Sequence, residues 1–97
     1  MARTITPTPL PDRPTIETIG EFGAFIRSLR TQQGLRIDDA ASLCGVSVSL
    51  LSALESGKPR DVGLGKALQI AHQLVLALLA VPRADLPGAL ACLERDK

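Results

Sequence analysis

The stretch "GVSVSLLSALESG", residues 45–57, gathers Ser47, Ser49 and Ser52 with Val48 and Ala53 on one short segment. Serine hydroxyls both donate and accept hydrogen bonds. Arg36, Lys58 and Arg60 flank the segment, and their cationic heads bind anionic oxygens. Catalysis, the other chemistry open to serine, needs a base within reach. The single histidine, His72, has no second histidine or acid at helical ligand spacing, and it reads as a surface residue. Cys44 and Cys92 lie in apolar surroundings without metal-ligand spacing, so they read as reduced packing cysteines. "GLGK", residues 63–66, is too short for a phosphate-binding loop. We therefore expect no enzyme, no cofactor and no metal site.

The chain has 97 residues, room for one small domain and a tail. Its apolar fraction of 45% suits a folded globule rather than a disordered chain. Phe22 and Phe25 are the only aromatic residues. The core must then come from Leu, Ile, Val and Ala, which favours helices over a barrel or sandwich. The same scarcity argues against stacking of single-stranded nucleic acid. Formal charge is +1, so a polyanion would have to be met by a local patch. No hydrophobic run approaches ~18 residues and no signal-type segment opens the chain. A soluble, cytoplasmic protein is expected.

Those functional side chains need helices to hold them. Residues 1–17 contain Pro7, Pro9, Pro11 and Pro14 and read as an extended, flexible tail. "TIGE" (Thr18 to Glu21) is a capping box. Ile19, Phe22, Phe25, Ile26 and Leu29 follow at helical spacing, with Arg27 and Arg30 on the polar side, until Gly34. A short second helix has Asp38 and Asp39 in its first turn, a buried side of Ala40, Ala41, Leu43 and Cys44, and Gly45 at its end. Ser47 caps a third helix from Val48 to about Glu55. The fourth begins near Leu64, with Leu64, Leu68, Ala71 and Leu74/Val75 on one face. For "LVLALLAVP" periodicity leaves helix and strand open; we expect a strand from near Leu76, stopped by Pro82. Asp85 opens a last short helix to about Glu94.

The run "IRSLRTQQGLRIDDAASLCGVSVSLLSALESGKPR" resembles the phage-repressor (Xre-type) helix-turn-helix family over residues 19–75. The matches are Arg30, Gly34, Leu35, Ala41, Gly45, Val46, Ser47, Leu51, Ser52, Leu54, Glu55, Gly57 and Lys58. The segment "VGLGKALQIAHQLVLALLAVP" is similar to HipB-type antitoxins, in which an apolar strand follows the fourth helix. The resemblance implies an all-α, lambda-repressor-like domain at 18–75, followed at 76–97 by a dimerisation strand and short helix. Leu76, Leu78 and Ala80 would then pair across a homodimer. It also implies double-stranded DNA, an operator palindrome, as ligand, and a HipA-like kinase toxin as a further partner.

The resemblance puts DNA contacts at Arg36, Ser47, Val48, Ser49, Ser52, Ala53, Lys58 and Arg60. It thus implies a dimeric repressor of antitoxin type that inserts helix 48–55 in the major groove. Hydroxyls discriminate bases loosely, whereas Val48 and Ala53 suit thymine methyls. Without a bidentate Arg–guanine or Gln–adenine reader, modest discrimination is expected, with affinity resting on phosphates. The chain departs from the family at Arg36 and Ile37, where Ser/Thr and Gln are usual. Ala40 replaces a leucine, and the acidic pair Asp38/Asp39 suits a helix dipole better than a DNA backbone. A module that keeps the fold but binds a partner protein is the alternative. Arg3 and Arg13 in the tail would suit a DNA-contacting arm, with plain disorder as the simpler reading.

Overall fold

The computed structural model describes residues 5–58 and 62–94. Among them the chain forms five α-helices and one 3₁₀ turn, with no strand. Helix α1 (Ile19–Gln32) starts as its sequence demands. The Thr18 hydroxyl accepts from the Glu21 N–H at 3.1 Å, and the Glu21 carboxylate accepts from the Thr18 N–H at 3.0 Å. Helix α2 (Ile37–Cys44) and helix α3 (Val48–Glu55) follow. Helix α4 (Leu64–Gln73) comes next, and a 3₁₀ turn (Arg83–Asp85) leads into helix α5 (Leu86–Glu94).

One device ends all of the first four helices. In each, two successive N–H groups turn back on carbonyls of the last turn, the pattern that satisfies orphan acceptors at a helix C-terminus. The turn needs one residue with positive φ. Gly34, Gly45 and Gly57 supply it, each at φ 72°, while α4 uses Val75 at φ 57°. A β-branched side chain in that region crowds its own backbone and costs about 1–2 kcal/mol.

The core is a wedge of helix faces. Phe22 and Ile26 from α1 meet Ala40, Ala41 and Cys44 from α2, Leu51 and Leu54 from α3, and Ile70, Ala71 and Leu74 from the α4 end. Burial pushes the Cys44 thiol above its ordinary pKa, because the low-dielectric core disfavours thiolate. It acts as a neutral packing group beside the Ile70 carbonyl. The tightest approach lies between α1 and α3, where Gly23 faces the Leu54 backbone. A Cβ built on Gly23 would fall 1.8 Å from the Leu54 carbonyl oxygen.

Several expectations change here. Leu43, placed on the buried side of α2, is half-exposed. On α4 the packed face is Ala67, Ile70, Ala71 and Leu74, while Leu64, Leu68 and Val75 point outward. Apolar residues occupy both faces of α4, so periodicity alone could not tell which would meet the core. Arg30, expected on the polar side of α1, turns inward to an ion pair with Glu55. The strand expected from Leu76 is not formed: residues 76–82 leave the helix and build no ladder. Ladder hydrogen bonds need a neighbouring strand, and the described chain holds none. The proline-rich segment is extended, but residues 8 and 9 are hydrogen-bonded to α1. No single helix among the described residues is long and apolar enough to cross a membrane.

Two substitutions test this account. Gly23→Ala improves helix propensity by about 1 kcal/mol, yet overpacking against backbone costs about 1–3 kcal/mol or more. The clash wins, so thermal melting should show a clear loss of stability. Val75→Gly should do the reverse and stabilise by about 1 kcal/mol, because an exposed side chain in a strained backbone is removed. Equal melting temperatures for wild type and Val75→Gly would contradict the strain at that turn.

Candidate nucleic-acid interface

The site begins with the turn between α2 and α3. Gly45 takes the left-handed conformation that an L side chain resists, and Val46 tucks partly into the core. Ser47 then caps α3, its hydroxyl accepting from the Leu50 N–H at 3.0 Å. The chain is redirected within three residues, and α2 and α3 meet with a bend of 112°. That lies in the range of helix-turn-helix pairs. Gln69 reaches over from α4 and donates to the Cys44 carbonyl, which secures the end of α2.

Helix α3 divides into two faces. Leu50, Leu51 and Leu54 are buried. Val48, Ser49 and Ser52 are exposed, and Ala53 is half-buried beside them. Val48 leaves 44% of its surface to solvent. Eight residues give a rod about 12 Å long, comparable with the width of a DNA major groove, about 12 Å. All five positions picked out in the sequence, Ser47, Val48, Ser49, Ser52 and Ala53, belong to this outer side or its rim.

The flanking cations are placed unequally. Arg36 precedes α2, with its side chain 65% exposed and its Nε 3.5 Å from an Asp38 carboxylate oxygen. This is an exposed pair that exchanges partners at little cost. Lys58 is exposed just beyond α3. Arg60 lies outside the described residues. Of the candidate dimerisation residues, Leu76 packs against the chain's own core. Leu78 and Ala80 are exposed, and Leu79 between them is 75% exposed. Among the described residues no cluster of His, Cys, Asp and Glu has the arrangement to hold a metal ion.

Sequence reasoning matched Arg30 and Glu55 to a pattern but missed what they do together. The Arg30 guanidinium donates to both Glu55 carboxylate oxygens, at 2.6 and 2.8 Å. Its remaining arm donates to the Leu35 carbonyl at 2.8 Å. With both side chains nearly buried, at 12% and 6% exposed, removal of either partner would strand a charge at a cost of about 3–5 kcal/mol. One side chain thus ties α1 to the end of α3 and to the turn that launches α2. The signal was present in the sequence: an arginine and an acid 25 residues apart, each near a helix C-terminus. Only their meeting in space gives it meaning.

Comparison with known proteins agrees with this geometry. Residues 21–86 match the family described as a helix-turn-helix domain. The chain is also 39% identical over 59 residues to a Sinorhizobium fredii protein named "Uncharacterized HTH-type transcriptional regulator y4mF". That alignment covers 61% of this chain and 76% of the relative. With α2, the glycine turn and α3 arranged as described, the chain belongs to the helix-turn-helix domain family.

Proposed function

We propose that this protein is a double-stranded DNA-binding transcriptional regulator, acting as a homodimeric repressor of antitoxin type. The observation that carries the reading is the outer face of α3. It is exposed, small-featured and groove-sized, and it is held at a steep angle by a rigid turn with Arg36 and Lys58 on either side. Family membership and the regulator title of the relative support the same reading. In the complex, α3 enters the major groove. Ser47, Ser49 and Ser52 offer hydroxyls to base edges, while Val48 and Ala53 meet thymine methyls. Arg36, Lys58 and Arg60 bind phosphates, which fix register and supply most of the affinity.

The dimer reading rests on residues 76–81. Among the described residues no hydrogen bond engages the backbone of 77–81, and Leu78 and Leu79 face solvent. Beside them opens an apolar groove of about 1170 Å³ between the 14–19 segment, α1, α4 and α5. An exposed apolar segment with unpaired backbone groups is an aggregation hazard unless a second copy covers it. Pairing across a twofold axis would present two α3 helices to half-sites about one helical turn apart. As an antitoxin the dimer would also hold a HipA-like kinase toxin, a partner that co-purification from the native operon would reveal.

Fluorescence anisotropy on the DNA upstream of the coding sequence tests the DNA reading. Wild type should bind with strong salt dependence. Arg36→Ala with Lys58→Ala should lower the salt slope by about 2 and weaken binding by roughly eightfold per lost phosphate contact at 0.1 M salt. Ser49→Glu should abolish specific binding by placing a carboxylate against phosphates. Wild type without salt-sensitive binding to any duplex would sink the proposal and favour a protein-binding module. Sedimentation tests the dimer: wild type should run as a dimer at micromolar concentration. Leu79→Lys should run as a monomer or become insoluble, and a monomeric wild type would refute the strand pairing.

A further inference from the structure

Among the described residues, α5 is the one α-helix that finds no place in the core. None of residues 86–93 is buried, whereas each of the other four α-helices buries at least two residues. It packs on the 3₁₀ turn that precedes it. Nine residues, Pro87 and Gly88 among them, make a helix that is marginal in water by itself. Such a helix draws its stability from a surface that covers it.

Helix α5 is also apolar all round. From Leu86 to Leu93 the sequence LPGALACL carries no charged side chain, and its one polar hydrogen is the Cys92 thiol. A helix of that composition belongs in an interior, covered on every side. One side, made of Leu86, Ala89, Leu90 and Leu93 at helical spacing, lines the apolar groove. Gly88, Ala91 and Cys92 lie off that side and are exposed.

Across the groove stand Ile19, Phe22 and Phe25 of α1. Glu17 and Arg83, the only charged residues lining it among those described, pair with each other at 3.4 Å. The groove therefore offers no free charge to a polar ligand. Its volume is about 1170 Å³. A helix of nine residues is ~14 Å long and ~10 Å across, a cylinder of roughly 1,100 Å³. The space between α1 and α5 is thus the size of one more α5. Closing α5 onto its own α1 would cover the leucine side and leave Gly88, Ala91 and Cys92 in water. A second copy can cover both sides. Each chain supplies one such helix for each such groove, which is the condition for a closed twofold pair.

We propose that the groove is filled by α5 of a second copy, reciprocally. The helices then stack in the order α1, the other copy's α5, the chain's own α5, and the other copy's α1. The leucine sides of the two α5 helices meet at the twofold axis. The small side of each, Gly88, Ala91 and Cys92, lies against the bulky α1 wall of the other copy, large against small. This rests on the dimer reading above and names the helices that form its core.

The test uses the full-length protein, with sedimentation over a range of concentrations and the rate of Cys92 alkylation. Leu90→Ala should raise the dimer dissociation constant by roughly a hundredfold or more. Ala91 is exposed in the single chain, and lysine suits the last turns of a helix. Ala91→Lys therefore leaves α5 itself intact, yet it should run as a monomer where wild type is a dimer. Cys92 is exposed in the single chain while Cys44 is buried. In wild type, Cys92 should react slowly where the dimer is full and many-fold faster on dilution or in Ala91→Lys. The interleaved stack is overturned if wild type is a dimer but Leu90→Ala or Ala91→Lys dimerises as tightly. It is also overturned if Cys92 reacts at one rate at all concentrations across the dimer transition. A wild type that stays monomeric would instead overturn the dimer reading beneath it and assign the groove to a different protein.

Discussion

The Arg30–Glu55 pair is the constraint on which the presenting geometry depends. A guanidinium that bridges a carboxylate and the Leu35 carbonyl fixes three pieces of backbone at once. These are the last turn of α1, the last turn of α3 and the chain entering α2. Hydrophobic packing could hold the same helices together, but it is indifferent to small slides and rotations. A planar fork with two parallel bonds to one carboxylate is not. Buried ion pairs are weak contributors to net stability because both charges lose water. The return here is specificity of placement, and placement is what a helix inserted into a groove requires.

Around that pair the architecture economises on space. The Gly23 approach lets α1 and α3 touch backbone to backbone, which brings the arginine and glutamate within reach of each other. Ala40 and Ala41 do the same for α2 against the core. The glycine-ended helices then reverse direction without long loops, so α2, the turn and α3 form one stiff unit. Val75 is the exception. It takes the same turn with a β-branched side chain, close to the point where the chain leaves the packed body for the exposed segment 77–80. Strain and exposed apolar surface thus coincide at one end of the molecule.

The two surfaces of the protein divide the work by chemistry. At the α2–α3 end lie hydroxyls, small methyls and exposed cations, a combination suited to a charged, grooved partner. Elsewhere, Leu78, Leu79, Leu64 and the α5 face leave an apolar groove open, a combination suited to burial against protein. The proline-rich segment ahead of α1 touches both, since Pro14 and Ile16 line the apolar groove while Ile5 lines a cleft with Arg36 and Ile37 at the start of α2. A net charge of +1 conceals this partition, because it averages a polar end with an apolar one.

Much of the fold was legible in the residues themselves, because it is decided locally. Thr18 with Glu21, Ser47 at a cap, and glycines at 34, 45 and 57 act through neighbours a few residues away, so helix starts and stops could be read directly. The candidate face of α3 was legible for the same reason, since caps and helical period set which side chains share a side. Tertiary structure alone decided the rest. It chose which apolar face of α4 is packed, because Leu64 and Leu68 are as hydrophobic as Ile70 and Leu74 and only the shape of the core separates them. It turned Arg30 from a solvated charge into a buried clamp, and it docked the proline-rich segment on two buried hydroxyls. Each of those outcomes depends on contacts between residues 19 or more positions apart, and such contacts leave no local trace in a sequence.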